Sequence, residues 1–335
     1  MLYYEAYWPL SKGKFMAEGE EEYTDSVQDY LQKLAGLRPE LEKGLKEYYP
    51  TAGKEDKFFF YRGENDSGYT PAPALFRKNG ESNDLYDEEA EKKLLESLAA
   101  AYHDEFRQDK TAFERILRAQ HYGLPTRLLD VTQNPLVALY FACGGNEGQE
   151  GRVHVFCALD SKILNAESDR LRLICNLAYL NADDKKWLDE HSKDDTAFNA
   201  LQQDFEQRNP GKGAFAYNRL IYAIRRESPG FAPKIKRHHL RRAFFVRPLY
   251  SNPRIRAQAG GFLVSAFARE YTKILENEGD KGKGADKISY DSFLIEAGDK
   301  QKILQELDAL QINEMTLFPE IEHAANYLKN AYQQM

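Results

Sequence analysis

The stretch from Gln120 to Ala142 holds most of the side chains that could do chemistry. Histidine titrates near neutral pH, a tyrosine ring can stack on a base, and threonine hydroxyls both donate and accept hydrogen bonds. Core packing and backbone capping are the alternative roles for the same residue types. The sequence therefore predicts either a binding site or structural roles for these side chains, with these candidates: His121, Tyr122, Thr126, Arg127, Asp130 and Thr132.

Two charges in this stretch, Arg127 and Asp130, lie among leucines and a valine. A buried charge is costly unless it is paired and hydrogen-bonded. We therefore expect both to be buried and to pair with each other or with other residues of the stretch. A structural ion pair and a role in a site remain alternatives at this point.

A third candidate, Arg62, follows the four aromatic residues 58–61 and precedes Gly63. Aromatic runs favour strands, so Arg62 should emerge from a strand end. Its planar guanidinium suits phosphate, and we expect Gly63, like Gly260–Gly261 further on, to let a ligand approach the backbone closely. The alternative is an ordinary strand-end ion pair with Glu64.

The elements around these residues follow from local signals. Gly123 and Pro125 interrupt the helical pattern of 112–120, and 126–132 is typical of a short buried strand or turn. Asn134 and Pro135 then predict a helix start, with Asn as the N-cap and Pro at the first helical position. That helix is apolar nearly all round and should be buried.

Elsewhere, apolar spacing and strand-forming runs predict an α+β protein with a mixed or split β-sheet. An extended strand in residues 1–19 is also expected. The predicted helices are 23–49, 85–107, 112–120, 300–310 and 320–332, and the predicted strands lie near Phe58, Arg152, Phe244, Phe262 and Phe293.

Residues 163–236 differ in character, being polar and helical, and are interpreted as an insertion outside the sheet. The basic run Lys234–Arg242 follows. It is interpreted as a solvated surface, with a phosphate or nucleic-acid contact as the alternative. Its paired His238 and His239 lack a third ligand, so no metal site is expected.

Composition limits the function classes. The chain has 335 residues, 42% of them hydrophobic, and a net charge of −7, which argues against a general nucleic-acid coat. Cys143, Cys157 and Cys175 lie in apolar surroundings without metal-ligand spacing, as expected of reduced core thiols. With neither an export signal nor a long apolar run, we expect a soluble, cytoplasmic protein with no membrane partner. Serine and cysteine hydrolase motifs are missing too.

Several of these segments together resemble the FRG domain, named for its Phe/Tyr-Arg-Gly signature. The segments are Phe60–Glu64, Gln120–Ala142, Asn252–Phe262 and Thr316–Ile321, in the family's order. The resemblance implies an N-terminal segment 1–54, an FRG domain over 55–330 with the helical insertion 163–236, and a tail 331–335. The family is widespread in bacteria and phages, which implies a bacterial protein, in defence or stress response.

The arrangement also resembles ADP-ribosyltransferases of the Arg-Ser-Glu type. Arg62 matches the arginine, 126–132 with its following helix matches the serine/threonine strand, and Gln258 occupies the place of the glutamate. The resemblance implies an ADP-ribosyltransferase-like fold, no required cofactor or metal, and NAD as substrate. The implied catalytic residues are Arg62, His121 and Gln258, and the implied NAD contacts are Arg62, Tyr122, Thr126 and Thr132.

Gln258 departs from the transferase pattern, because an amide cannot act as a base or carry negative charge. A transferase would then need another carboxylate, from Glu64 or Asp130. Two hypotheses follow: an enzyme that modifies a protein or nucleic-acid acceptor, or a non-catalytic module that binds a nucleotide or a protein. A weaker third hypothesis, a nucleic-acid-acting protein, rests on Lys234–Arg242.

Overall fold

The computed structural model describes residues 22–49, 55–79, 83–146, 148–193, 198, 215–233, 235–247, 252–275 and 287–333. Its centre is a seven-stranded sheet in the order β4-β5-β6-β2-β1-β3-β7. Strands β4 and β5 are parallel, and all other neighbours are antiparallel. The strands are β1 (Lys57–Glu64), β2 (Leu128–Thr132), β3 (Gly151–Leu159), β4 (Ile163–Asn165), β5 (Ala243–Arg247), β6 (Gly260–Ser265) and β7 (Ser289–Ile295).

Helices surround this sheet, so the α+β class with a mixed sheet is confirmed. The strand expected in residues 1–19 lies outside the described residues. The helices are α1 (Val27–Tyr48), α2 (Ala90–Ala101), α3 (His103–Phe106), α4 (Ala112–His121), α5 (Pro135–Cys143), α6 (Asp169–Asn176), α7 (Ala182–His191), α8 (Phe215–Glu227), α9 (Pro253–Ala257), α10 (Arg269–Leu275), α11 (Lys300–Ala309), α12 (Glu314–Leu317) and α13 (Ile321–Gln333).

The sheet is split between its two central strands. Strand β1 pairs with β3 over its whole length, and β2 pairs with β6 over its whole length. Between β1 and β2, in contrast, the register is limited to Tyr61 opposite Thr132. The sheet therefore consists of two halves, β7-β3-β1 and β2-β6-β5-β4, whose strand pairing is limited to this pair of residues; we call this junction the split.

Cores lie on both faces of the sheet. On one face, α1, α5 and α11 pack on the β1 half, and α2, α4 and α6 pack on the β2 half. The other face carries Phe60, which stacks on Phe245 with ring centroids 4.1 Å apart, together with residues of α10. Because successive strand residues point to opposite faces, the run 58–61 supplies both cores.

The glycines expected to admit a ligand serve packing instead. A Cβ on Gly63 would lie 1.9 Å from the Ala138 carbonyl oxygen, so its absence lets α5 lie directly on β1. A Cβ on Gly261 would lie 3.1 Å from the Val246 carbonyl oxygen and 3.6 Å from the Phe60 ring. We expected a ligand to approach these glycines. Instead, a helix approaches Gly63 and a strand approaches Gly261, both from the same chain.

The start of the segment expected to lie outside the sheet belongs to it. Residues Ile163–Asn165 form the edge strand β4, and α6 packs in the core against Phe244 and Phe262. Helices α7 and α8 build a separate cluster with residues such as Leu188 and Leu220. Strand β4 was missed because three residues are too few to show a period.

The buried environment predicted for the three cysteines is confirmed, and all three are free thiols. Burial raises the pKa of Cys143 and Cys157 to about 12, so these thiols stay protonated. Among the described residues, no helix combines the length and the apolar character needed to cross a membrane.

Candidate functional site

Arg62 lies at the split between the two halves of the sheet. Its Nε donates a hydrogen bond of 2.6 Å to Glu64 Oε1 on the same strand. Its Nη1 donates a hydrogen bond of 2.8 Å across the split to the carbonyl oxygen of Asp130, at a solvent-exposed position. The Arg62 side chain is 12% exposed and Glu64 is buried. The guanidinium is thus held from inside by a carboxylate and faces the surface where the strands separate.

Asp130, expected to be buried, is exposed, although its neighbours on strand β2 are buried. It lies on the face that the helices cover, where the group on the β1 half and the group on the β2 half leave it open. Its carboxylate accepts a hydrogen bond of 2.8 Å from Gln120 Nε2. The expectation was wrong because strand neighbours do not determine what covers a side chain.

Arg127 is buried and paired, as predicted, with 2% of its side chain exposed, but the expectation that its partner lies within 120–142 was wrong. Its partner is Glu91 of α2, with 2.7 Å between Arg127 Nε and Glu91 Oε1, and Nη1 also donates to the Ala266 carbonyl oxygen. Lys185 lies 3.6 Å from the same carboxylate. This ion pair is structural and ties α2 to the beginning of β2.

Thr126 connects the same region internally. Its hydroxyl donates to Gln120 Oε1 and accepts from the backbone amide of Leu128 at 3.2 Å. Gln120 in turn donates to Asp130. The amide of Gln120 therefore links the threonine to the exposed carboxylate, and the orientation of Asp130 depends on both.

Thr132 and Gln258 lie together at the other end of β2. The Thr132 hydroxyl donates a hydrogen bond of 2.6 Å to the Gln258 carbonyl oxygen and accepts from the amide of Asn134. Gln258 caps the end of α9, and its Nε2 donates to the Leu317 carbonyl oxygen at 3.1 Å. The amide that the transferase resemblance assigns to catalysis thus fastens α9 to α12.

His121 and Tyr122 form an exposed aromatic pair at the end of α4, with ring centroids 5.3 Å apart. Desolvation and the nearby Arg254 guanidinium lower the pKa of His121, while Glu320 opposes the shift. The Tyr122 hydroxyl lies 3.4 Å from a Glu105 carboxylate oxygen. Both rings are accessible to a ligand, and His121 is neutral at pH 7.

His154 was not predicted as a site residue. It lies directly opposite Arg62 on β3 and is 1% exposed. Its Nδ1 is 2.8 Å from the Tyr290 hydroxyl, and its Nε2 has no hydrogen-bond partner among the described residues. Burial, with Arg152 and Arg62 nearby, lowers its pKa well below the ordinary value. Its strand position, two residues before the core residue Phe156, was the available signal.

Arg62 is bonded to the backbone carbonyl of Asp130, and the Asp130 carboxylate is bonded separately to Gln120, which in turn is bonded to Thr126. That Arg62, His121, Tyr122 and Gln258 line a single cleft stays a prediction. A cavity of about 460 Å³ lies elsewhere, between α2, α3 and α4. Its lining includes Leu95, Phe106, Arg107, Arg115 and Tyr179, and none of the predicted site residues.

Comparison with protein-family models gives one finding: residues 57–150 match the FRG domain. The match begins at the first residue of β1, so it includes Arg62 and the whole stretch 120–142. It ends just before β3. Comparison with curated proteins and with solved structures gives no match. The wider limits expected for the domain, 55–330, stay a prediction.

Proposed function

We propose that the region matching the FRG domain, residues 57–150, binds NAD or a related nucleotide at the split between β1 and β2. The observation that supports this most directly is the setting of Arg62. Glu64 fixes its Nε from the buried side, and its Nη1 donates to the backbone carbonyl oxygen of Asp130 at an exposed position. A guanidinium held rigidly in this way is well suited to bind a phosphate, because little side-chain entropy is lost on binding.

Other exposed groups of the matched region suit the remaining parts of a nucleotide. The exposed Asp130 carboxylate, oriented by Gln120, can accept hydrogen bonds from ribose hydroxyls. The exposed rings of His121 and Tyr122 can stack on a base or on nicotinamide. A phosphate, a ribose and a ring therefore each have a chemical counterpart among residues of the FRG domain.

The second candidate is ADP-ribosyl transfer to a protein or nucleic-acid acceptor, in bacterial defence or stress response. In that reaction the bond between nicotinamide and ribose breaks, and the acceptor's nucleophile bonds to the ribose carbon. The exposure of Asp130 favours this candidate, since a carboxylate at the split can stabilise the positive charge that develops on the ribose. Glu64 is less suitable because it is buried and bonded to Arg62.

Calorimetric titration with NAD and with ADP-ribose tests the binding proposal. Losing a charge-assisted hydrogen bond costs about 1.5–3 kcal/mol, so Arg62→Ala should weaken binding roughly ten- to a hundred-fold. Arg62→Lys retains a charge beside the buried Glu64 and guards against a mere folding defect. Arg107→Ala, in the cavity between α2 and α4, is the matched control and should bind as the wild type does.

Loss of affinity in Arg107→Ala together with normal affinity in both Arg62 variants would move the site to that cavity. Release of nicotinamide from NAD separates the two candidate functions. Release by the wild type but not by Asp130→Asn, with both proteins saturated with NAD, would support the transferase. Binding of NAD without release, across protein and nucleic-acid acceptors, would support the non-catalytic module.

A further inference from the structure

The helix α13 turns its large apolar side chains outward. Ile321 is 79% exposed, Leu328 is 47% exposed and Tyr332 is 73% exposed. Ala325, between them on the same side of the helix, is exposed as well. A surface helix normally turns its apolar residues towards the core, so this orientation is the reverse of the usual one. We call these four residues, Ile321, Ala325, Leu328 and Tyr332, the α13 stripe.

The opposite side of α13 is attached to the protein mainly by polar and aromatic contacts. The Tyr327 hydroxyl donates a hydrogen bond of 2.7 Å to Asp308 at the end of α11. His323 Nδ1 is 2.8 Å from Glu314 of α12, and its ring stacks on Phe318 at 4.5 Å. These contacts fix which side of the helix faces solvent. The exposure of the α13 stripe is therefore set by specific interactions on its other side.

The spacing of the α13 stripe is that of a helix-pairing seam. Its members follow one another at intervals of four, three and four residues, as apolar positions do in coiled coils. Glu322 and Lys329, both exposed, flank the stripe one position after Ile321 and Leu328 respectively. Glu322 and Lys329 thus lie along one side of the stripe, seven residues apart. In an antiparallel pair of identical helices, the acidic residue of each copy can therefore meet the basic residue of the other.

We propose that α13 is a dimerisation surface that pairs antiparallel with α13 of a second copy of this chain. A two-fold axis near residues 326 and 327 would place Ile321 against Tyr332 of the second copy, and Ala325 against Leu328. The same axis brings Glu322 of each copy near Lys329 of the other. Leu310 and Met315, exposed in the segments just before α13, add apolar surface to this part of the chain.

The mass of the full chain in solution, measured by light scattering during size-exclusion chromatography at several concentrations, tests the proposal. The wild type should be a dimer that dissociates on dilution. Leu328→Asp should be a monomer, because an unpaired charge would be buried in the seam. Asn330→Asp adds the same charge to an exposed position outside the stripe and should remain a dimer. Unchanged melting temperatures would show that both variants are folded.

Exchange of the flanking charges tests the antiparallel arrangement. Glu322→Lys and Lys329→Glu each place like charges together twice in the dimer and should weaken it roughly 3- to 30-fold. The double variant restores opposite charges and should dimerise like the wild type. The proposal would be overturned if the wild type were a monomer at all concentrations, which would mean that another part of this chain covers the stripe or that it binds a different partner. It would also be overturned if Leu328→Asp still formed a dimer. The antiparallel arrangement would be wrong if the double variant dimerised more weakly than either single variant.

Discussion

Arg127 and Asp130 are three residues apart in one stretch, yet their environments are opposite. Arg127 is enclosed with Glu91, whereas Asp130 is open to solvent. Both have apolar sequence neighbours, so the local sequence predicts burial for each. What differs is the cover supplied from elsewhere in the chain: α2 closes over Arg127, and the helices of the two sheet halves leave Asp130 uncovered.

This contrast predicts the effect of two alanine substitutions on stability. Glu91→Ala leaves the buried Arg127 guanidinium without its main counter-charge, and should lower the free energy of unfolding by about 3–5 kcal/mol. Asp130→Ala removes an exposed carboxylate and should change it by less than about 0.5 kcal/mol. Urea denaturation of both variants measures the difference.

Equal losses of stability in the two variants would contradict the environments described for these charges. In the double variant Glu91→Leu with Arg127→Met, both charges are absent. Most of the stability lost in Glu91→Ala should therefore return.

The contacts of the candidate site were predictable to different degrees. The pairing of Arg62 with Glu64 follows from strand alternation, because residues two apart share a face. The position of His154 opposite Arg62 depends on the register between β1 and β3, and the local sequence does not contain that register. Glu91 is 36 residues before Arg127 and carries no local sign of its role.

At the scale of elements, strongly periodic or capped segments were predictable. The helix start at Asn134 is confirmed by the hydrogen bond from the Leu136 amide to the Asn134 side chain. The long helix near the N-terminus is confirmed as α1, and its buried residues Tyr30, Leu34 and Leu41 keep the predicted spacing. Short elements such as β4 and α9 lack enough residues to establish a pattern, and tertiary contacts determine them.

The close packing of α5 on β1 predicts opposite effects for two glycine substitutions. Gly63→Ala would place a methyl group against the backbone of α5 and should destabilise the protein by roughly 1–3 kcal/mol or more. Gly36→Ala, inside α1 with nothing within 4 Å of the new Cβ, should stabilise it by about 0.5–1 kcal/mol. Thermal and urea unfolding of both variants provide the measurement.

A neutral effect of Gly63→Ala would mean that α5 and β1 are further apart than in the structure. The sequence did point to Gly63, but a glycine indicates only that something approaches closely. It does not distinguish a ligand from a helix of the same chain. The nearest backbone atom, the Ala138 carbonyl oxygen, resolves this.

For the whole molecule, the order of the strands and the split between β1 and β2 were the least predictable features. Both depend on contacts between distant segments. The side chain of Lys300, for example, is buried and donates from Nζ to the carbonyl oxygens of Asn65 and Asn146. It thereby joins the turn after β1 to the loop before β3. The same assembly buries His154 next to Arg62.

Buried histidines make the stability of the whole molecule depend on pH. The pKa of His154 is well below its ordinary value, and that of His239 is lowered to about 3, in both cases mainly by desolvation. The unfolded chain therefore takes up protons near pH 6.5 that the folded chain does not. Linkage then requires that the stability contributed by these two histidines is fully present above about pH 7.5 and is lost as the pH falls through 6.5.

His154 alone should lower the free energy of unfolding by roughly 1 kcal/mol between pH 7.5 and pH 5.5. His239, whose pKa is lowered to about 3, adds a loss of similar size over the same range. His154→Gln keeps a hydrogen-bonding group beside Tyr290 but cannot take up a proton in this range, so its stability should depend less steeply on pH. Urea denaturation of wild type, His154→Gln and His239→Gln at pH 7.5, 6.5 and 5.5 measures each slope. If the free energy of unfolding depended on pH equally in wild type and His154→Gln, His154 would be protonated to the same extent in the folded and the unfolded protein. It would then not be enclosed beside Arg62.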